Sequence, residues 1–472
     1  MKTLKPVRGV VLGIASAALV AVVVWWSVGT KADDARPTLP APRPHLDHSA
    51  FFNQPFKNGV DVTKACLKCH QDEAKELHDT PHWQWLGDEE KIPGRDGKVR
   101  IGKKNVINNF CISIKGNWSS CTKCHAGYGW KDQDFDFDDT SHMDCLVCHD
   151  HSGGYAKDKA GWPRKDSDLL AAAKSVGYPT RTACGSCHNY GGGGLAVKHG
   201  DLDSTLDNPD PEDDVHMGKY GFTCVDCHGG KGHTIKGKTI SVSTNDENGI
   251  GCADCHGAAP HESERLNQHA DKVACQTCHI PTFANSIPTK MWWDWSKAGD
   301  DTRKDDIHHY LKIKGEFRYA SHVTPEYYWF DGTAERYLLG DRIPDEGPVR
   351  INHPVGDRDI PGARIWPFKV HRGKQIFDTV NRTLLAPLTS GKGGFWHDFD
   401  WDKALRLAVK YTGLPYSGHY GFVKTEMYWP INHMVQPKNK ALRCVDCHGP
   451  QGRLDWKALG YPGDPMNEGV RP

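Results

Sequence analysis

The sequence has 472 residues, of which 38% are hydrophobic and 25% are charged. Its 59 lysines and arginines balance its 59 aspartates and glutamates, so no net charge favours binding to nucleic acid or to an anionic membrane surface. The mean hydropathy of −0.62 is low, which indicates that side chains alone supply little apolar filling for a core of this size.

The N-terminus is typical of an export signal, because a basic segment, residues 1–8, precedes an almost wholly apolar run, residues 9–28. The run is long for a signal peptide and borderline for crossing a bilayer, and Ala32 and Ala35 are both possible cleavage points. We therefore expect residues 1–32 to be a signal peptide or an N-terminal membrane anchor. Residues 33–48 are polar with four prolines and are expected to form a linker or arm.

Eight Cys-x-x-Cys-His motifs use sixteen of the seventeen cysteines. This pattern is the attachment signature of c-type haem, in which two thiols bond to the porphyrin vinyl groups and the histidine becomes the proximal iron ligand. Zinc ribbons, thioredoxin-like dithiols and disulfide frameworks do not require a histidine after every second cysteine. The sequence therefore predicts eight covalently bound c-type haems and a periplasmic location, free or membrane-anchored. Motifs 1 to 8 are Cys66/Cys69/His70, Cys121/Cys124/His125, Cys145/Cys148/His149, Cys184/Cys187/His188, Cys224/Cys227/His228, Cys252/Cys255/His256, Cys275/Cys278/His279 and Cys444/Cys447/His448.

The first seven motifs leave room only for short helices between them, and one helix is predicted within residues 167–176, with Ser167 or Asp168 as its cap. Haem can supply the apolar filling that the side chains lack. The predicted fold class is therefore a multihaem cytochrome c that is mainly α, with long loops, little strand and a haem-packed core, in one domain over residues 49–472.

The stretch 280–443 contains no motif and is rich in aromatic residues, which can cover haem faces or simply pack against one another. Within it, residues 401–412 show helical spacing of apolar side chains. Asp400 is the expected N-cap of this helix, and Gly413 is its expected end.

Haems that only transfer electrons generally carry a second axial ligand, because six-coordinate iron changes redox state with little reorganisation. Of the 27 histidines, nineteen lie outside the motifs. Each candidate distal ligand lies near a motif or within a turn that can bend over a haem, although a solvated or hydrogen-bonded histidine is the ordinary alternative. The candidates are His48, His82, His142, His216, His233, His261, His269 and His433.

An enzyme needs one haem that differs from the others, and two residues suggest where it lies. Cys111, the cysteine outside the motifs, precedes Cys121 by ten residues and is either buried and inert or a reactive thiol. Lys198 follows four consecutive glycines, residues 191–194. Such a run lets the backbone pass close to a flat cofactor, so the lysine could offer a neutral amine to iron, whereas a solvated lysine is the ordinary reading.

From His48 onward the chain resembles the octahaem cytochromes of the tetrathionate reductase type. The segments that carry the resemblance are Asp47-His48-Ser49, Thr80-Pro81-His82-Trp83, Asn109-Phe110-Cys111, the stretch from Cys121 to Trp130, the tetraglycine run with Val197-Lys198-His199-Gly200, and Trp366-Pro367-Phe368-Lys369-Val370-His371.

The resemblance implies that one haem has a lysine amine in place of a distal histidine, with a free cysteine beside it. Carried over to this sequence, the lysine is Lys198, the cysteine is Cys111 and the haem is that of motif 2. The family pattern has an aspartate three residues before the lysine. This chain has Leu195 there, which removes a possible proton donor and leaves the substrate open.

The leading prediction is a periplasmic reductase of small oxyanions, with Cys111 and Lys198 as catalytic residues at a haem fed by bis-histidine haems. Tetrathionate is one expected substrate, and its sulfur–sulfur bond could alternatively be attacked by the Cys111 thiolate; nitrite and hydroxylamine are the others. The alternative is a non-catalytic cytochrome that links the quinone-pool side of the membrane to a redox partner protein. Hydroxylamine oxidoreductases match less well, because neither their C-terminal extension nor their cross-linking tyrosine is found.

Overall fold

The computed structural model describes residues 45–109, 113–237, 240 and 248–468. The N-terminal segment 1–32, most of the linker and Cys111 lie outside these residues, so the expectations for them stay predictions. Within the described part of the chain, no helix is both long and apolar enough to cross a membrane.

Short helices carry most of the haem motifs. Thr180 caps the helix of motif 4 by accepting a hydrogen bond from the amide of Ala183, and Thr223 forms a capping box with Asp226 at motif 5. The helices up to motif 7 are α1 Gly59–Cys66, α2 Gln71–His78, α3 Pro81–Gln84, α4 Trp118–Cys121, α5 Leu146–His149, α6 Leu169–Lys174, α7 Arg181–His188, α8 Cys224–His228, α9 Ala253–His256, α10 Glu264–His269 and α11 Cys275–His279.

Both helices predicted from the sequence are present. α6 is shorter than expected, because Asp168 caps it through the amides of Leu170 and Ala171 and it ends at Lys174. The later helix spans Trp401–Thr412 as predicted, with Asp400 as its N-cap and Gly413 in the left-handed conformation at its end. The remaining helices are α12 Phe395–Asp398, α13 Trp401–Thr412, α14 Cys444–Cys447 and α15 Pro465–Glu468.

The stretch without motifs forms a large mixed β-sheet, so the prediction of a mainly α fold with little strand was wrong. The strands of the described chain are β1 Glu89–Glu90, β2 Val99–Arg100, β3 Thr289–Asp294, β4 Tyr310–Leu311, β5 Gly315–Ala320, β6 Glu326–Phe330, β7 Ala334–Arg336, β8 Val349–Arg350, β9 Asn352–Pro354, β10 Arg364–Asp378, β11 Thr383–Leu384 and β12 Tyr420–Pro430. Eight of them form one sheet in the order β4-β5-β3-β10-β12-β8, with β6 and β11 also paired to β10.

The central strand β10 shows why the sheet was missed. It pairs antiparallel with β12 along eleven residue pairs and parallel with β3. Its polar side chains Lys369, His371, Gln375 and Asp378 are buried, so no alternation of apolar and polar residues marks the strand in the sequence.

The sheet buries side chains on both faces. Ile376 belongs to a cluster with Trp293 and Trp401, whereas the next residue, Phe377, packs against a cluster that contains Trp429. Successive side chains of a strand point to opposite faces, so both faces are covered. The C-terminal part of the chain therefore has a core made of its own side chains, and this core holds the strands rigidly beside the motif region.

Candidate functional site

Seven of the eight motif histidines lie opposite a second histidine. A metal–nitrogen bond of about 2 Å puts each ring centre roughly 3 Å from the metal, so two imidazoles on opposite sides of one metal have centres about 6 Å apart. The observed distances between ring centroids match this spacing. They are His70–His48 6.2 Å, His149–His233 6.3 Å, His188–His82 6.2 Å, His228–His433 6.0 Å, His256–His216 6.0 Å, His279–His261 6.1 Å and His448–His269 6.4 Å.

Many of these histidines are held through Nδ1, which leaves Nε2 as the nitrogen that can bind a metal. A carbonyl or carboxylate oxygen that accepts from Nδ1 fixes both the tautomer and the orientation of the ring. The acceptors are Leu46 for His48 (2.7 Å), Gly177 for His149 (2.8 Å), Lys236 for His228 (3.0 Å), Glu76 for His233 (3.2 Å), Arg265 for His269 (2.8 Å), Asp201 for His433 (3.1 Å) and Asp464 for His448 (2.6 Å).

The residues of these seven motifs therefore fit haem. Each of the seven pairs combines two thiols for covalent attachment with two facing imidazoles, which is the donor set of a bis-histidine c-type haem. All seven partner histidines were among the eight candidates from the sequence. The ring of His142 faces no motif histidine; its Nδ1 is 2.8 Å from the carbonyl oxygen of Tyr128.

The motif thiols differ in exposure. Cys69 of motif 1 is exposed, in the turn that follows α1, where its amide donates to the carbonyl oxygen of Cys66 at 3.1 Å. A thiol has only to reach a vinyl group at the porphyrin edge, so an attachment cysteine needs no cover from other side chains. The role of Cys69 in haem attachment therefore stays the prediction made from its motif. The other exposed motif cysteines are Cys227, Cys252, Cys255 and Cys444.

Thiols of different motifs interact electrostatically, and these interactions indicate which motifs are neighbours in space. Hydrogen bonds join Cys66 with Cys145, Cys124 with Cys187, Cys184 with Cys224, and Cys252 with Cys275. Weaker electrostatic contacts join Cys148 with Cys184, Cys227 with Cys255, and Cys278 with Cys447. Motifs 1, 3, 4, 5, 6, 7 and 8 thus form one series, and motif 2 adjoins it at motif 4.

Motif 2 is the exception to the histidine pairing. Among the described residues no histidine ring lies opposite His125, which is fully buried in a box of aromatic side chains. Its Nε2 lies 2.6 Å from the carbonyl oxygen of Trp83, and its buried Nδ1 has no partner in the described part of the chain. Burial lowers the pKa of His125 to about 3, with repulsion from Lys157 adding to the effect. The aromatic residues of the box are Trp83, Trp85, Trp130, Phe135 and Phe137.

A buried ion pair holds the backbone of motif 2. The side chains of Lys157 and Asp144 are 4% and 0% exposed, and their charged atoms are 2.8 Å apart. Lys157 also donates to the carbonyl oxygens of His125 and Gly127. The backbone of motif 2 is therefore held by Lys157, whose charge is neutralised by Asp144.

Lys198 interacts with motif 2 through the thiol of Cys124. Its amine lies 4.8 Å from the ring centre of Trp429 and interacts electrostatically with Cys124. Loss of hydration lowers the pKa of Lys198 to about 7; repulsion from Lys103 and Arg336 contributes, and attraction to Cys124 opposes the shift. The lysine predicted from the sequence therefore interacts with Cys124 of motif 2, and also with His188 of motif 4, whose Cys187 adjoins Cys124.

Strand β10 holds the backbone of this lysine loop. The Nζ of Lys369, which is fully buried, donates to the carbonyl oxygens of Val197 at 3.0 Å and Lys198 at 3.1 Å. It also donates to Thr289 Oγ1, whose hydroxyl in turn donates to the carbonyl oxygen of Ala196. Ala196 has a positive φ of 54°, so a three-point anchor holds a loop with an unusual backbone.

The same strand reaches the segment that leads to Cys111. Asn109 donates to the carbonyl oxygen of His371 at 2.6 Å, and its Oδ1 lies 3.1 Å from Nδ1 of His371. Sequence reasoning had not assigned roles to Lys369, His371 or Arg336. The segment Trp366 to His371, quoted for the family resemblance, contains the first two; Arg336 carried no sequence signal.

Comparisons with known proteins point to multihaem cytochromes c. Family models match residues 290–451 (Cytochrome c bacterial) and 210–280 (Cytochrome c7 and related cytochrome c). An uncharacterized protein of Archaeoglobus fulgidus is 26% identical over 257 residues, which are 44% of this chain and 85% of that protein. The crystal structure of an octahaem cytochrome c from Shewanella oneidensis is 47% identical, with a TM-score of 0.86, and the match covers 91% of this chain and 99% of that one. The prediction of covalently bound c-type haems is confirmed, and the chain belongs to the octahaem cytochrome c family.

Proposed function

We propose that this cytochrome is a reductase of small oxyanions whose substrate site lies at motif 2, where Lys198 stands in place of a distal histidine. One observation carries the proposal. Seven motif histidines have a partner histidine at 6.0–6.4 Å, whereas His125 has none among the described residues, and the amine of Lys198 interacts electrostatically with Cys124 of its motif.

The seven facing histidines are the proposed distal ligands, and the motif histidines are the proximal ones. When bound, haems ligated in this way supply one-electron transfer, and a haem with a displaceable ligand also supplies a position for a small substrate. The thiol contacts between motifs support a continuous series of neighbouring haems with motif 2 at its branch.

The protein's own residues prepare the site at motif 2. With a pKa near 7, Nζ of Lys198 can be a neutral ligand and, once displaced, can hold a proton beside the substrate. The aromatic box around His125 excludes water from this imidazole, which would hold the haem of motif 2. Lys369 keeps the loop in place, so displacement of the amine need not move the backbone.

The charges around the site favour an anionic substrate. Lys103 and Lys104 lie over the rings of Trp85 and Phe137, at 4.4 Å and 3.6 Å from the ring centres. Tetrathionate and nitrite are the anions that we propose, and hydroxylamine is a third, uncharged substrate. A thiol reaction of Cys111 with the sulfur–sulfur bond of tetrathionate is part of this proposal. Leu195 stands where the family pattern has an aspartate, so other residues of the site would have to deliver protons.

Replacing Lys198 by Met tests the proposal, because methionine removes the amine and keeps most of the side-chain volume. We expect the absorption and EPR spectra of one haem in eight to change, together with turnover. Lys314→Met is the matched control, since its Nζ is 3.4 Å from the carbonyl oxygen of Gly193 in the same glycine run. Unchanged spectra and turnover in Lys198→Met would remove this lysine from the mechanism.

A non-catalytic electron carrier is the second candidate, and the seven histidine pairs favour it because six-coordinate haems leave no position for a substrate. Titration of the reduced protein with carbon monoxide separates the two. Binding at one haem per chain supports the reductase, and no binding at any haem supports the carrier.

For either role we propose a location on the outer side of the cytoplasmic membrane, because the basic and apolar N-terminal segment is typical of an export signal. A redox partner protein or a quinol-side donor is the proposed source of electrons. Cell fractionation followed by N-terminal sequencing tests the location and shows whether residues 1–32 are removed.

A further inference from the structure

Arg336 is a buried cation without a carboxylate partner among the described residues. It is the last residue of β7 and is only 3% exposed. Its Nη1 donates to the carbonyl oxygen of Ile240 at 3.3 Å, while its buried Nε and Nη2 have no partner in the described part of the chain. Burial of a guanidinium in this state is costly, so these two N–H groups, which have no partner among the described residues, are available to bind an anion.

The acids nearest in the chain do not neutralise this charge. Glu335 is the exposed residue of β7, whereas Ala334 and Arg336 are buried. Asp341 pairs with Arg95 and accepts from the amide of Leu338. Arg95 donates to the backbone carbonyl of Arg336, which positions the strand and leaves the guanidinium unpaired.

The strand that carries Arg336 packs beside the lysine loop. Ala334 and Ile240 lie in the same hydrophobic cluster as Val197 and Trp429, and the amine of Lys198 lies 4.8 Å from the ring centre of Trp429. Arg336 and Lys103 both repel that amine. Lys103 lies over Trp85, one wall of the box around His125. Arg336 is therefore linked to motif 2 through Lys198.

We propose that Arg336 binds the oxyanion substrate of the motif 2 site through its Nε and Nη2 edge, which makes it a specificity-determining residue for anions. Two N–H groups on one edge of a planar guanidinium match two oxygens of one anion, such as nitrite or a terminal sulfonate of tetrathionate. This inference rests on the proposed function. The same edge also suits a haem propionate, so the experiment has to separate a substrate oxyanion from a cofactor carboxylate.

Arg336→Gln tests the proposal by comparing an anionic with an uncharged substrate. For the reduced protein, we expect kcat/KM for nitrite to fall about 10- to 100-fold, the range for losing hydrogen bonds to a charged group. Hydroxylamine, which is uncharged at neutral pH, should change by less than about threefold, below one such hydrogen bond. Arg342→Gln, at an exposed arginine beside Asp345, is the matched control. An equal loss for both substrates, accompanied by a shift in one haem potential, identifies a propionate partner and overturns the proposal.

A binding measurement distinguishes failure of this inference from failure of the proposed function. Nitrite should raise the thermal midpoint of the oxidised wild type but not that of Arg336→Gln, because a ligand stabilises only the state that binds it. That result supports the anion site even if no substrate is turned over, whereas equal stabilisation of both proteins overturns it. If Arg336→Gln does not accumulate as folded protein, Arg336→Lys replaces it, because lysine keeps the charge but lacks the paired N–H groups. Nitrite should then raise the thermal midpoint of the wild type but not that of Arg336→Lys, and equal stabilisation overturns the proposal.

Discussion

The ammonium group of Lys369 donates a hydrogen bond to the carbonyl oxygen of Lys198, with 3.1 Å between the two atoms. The first residue lies on the central strand of the sheet, and the second lies in the glycine-rich loop beside motif 2. The sheet is therefore the support that fixes the position of the lysine loop, although it contains no haem motif. An ammonium group suits this task because it donates three hydrogen bonds at once.

Lys369→Met should loosen the lysine loop. The carbonyl oxygens of Val197 and Lys198 would lose their donor while staying buried, which costs about 1–3 kcal/mol of the free energy of unfolding. The spectrum of one haem in eight should broaden or shift, because Lys198 would be held less firmly. Denaturation and EPR spectroscopy measure the two effects.

Lys374→Met is the control for this change, since Lys374 is on the same strand and is not fully buried. It should leave both the stability and the EPR spectrum unchanged. Identical EPR spectra for wild type and Lys369→Met would contradict the positioning role of Lys369.

Removal of a distal histidine should expose one identifiable haem. His433 lies 6.0 Å from His228, ring centre to ring centre, and Asp201 holds its Nδ1. His433→Ala should convert one haem in eight from low-spin to high-spin, because iron loses its sixth ligand. EPR spectroscopy and carbon monoxide binding count the converted haems.

His142→Ala provides the comparison, because His142 was an equally good candidate in the sequence but faces no motif histidine. Its loss should create no high-spin haem. A high-spin signal from His142→Ala together with none from His433→Ala would refute the pairing of histidines by ring distance.

The number of haems could be predicted from the sequence because each attachment site is written in five consecutive residues. For the distal ligands, only a set of candidate histidines could be predicted from the sequence. A partner such as His433 is far from His228 in the chain, and only the fold brings the two together. His142 illustrates the limit: its proximity to motif 3 in the sequence does not place its ring opposite a motif histidine.

The sheet and its supporting contacts could not be predicted for a different reason. Pattern recognition assumes that buried positions are apolar, whereas β10 buries Lys369 and His371 to hold other segments of the site. Arg336 could not be predicted either. It stands out only because two of its buried nitrogens have no hydrogen-bond partner among the described residues, which no sequence pattern reveals. Helix α13 was predicted with its ends because its cap, apolar face and terminal glycine are all local.

Asp144 is the acidic partner in the buried ion pair that supports motif 2. Asp144 accepts hydrogen bonds from the hydroxyl groups of Tyr128 and Tyr155, both at 2.9 Å, in addition to pairing with Lys157. Asp144→Ala would leave the Lys157 ammonium buried and unpaired, so the free energy of unfolding should fall by about 3–5 kcal/mol. Asp72→Ala is the control, since Asp72 and Lys75 are also 2.8 Å apart but lie in solvent, and its effect should be undetectable. Equal denaturation midpoints for the two variants would contradict the prediction that the buried pair contributes more to stability than the exposed pair.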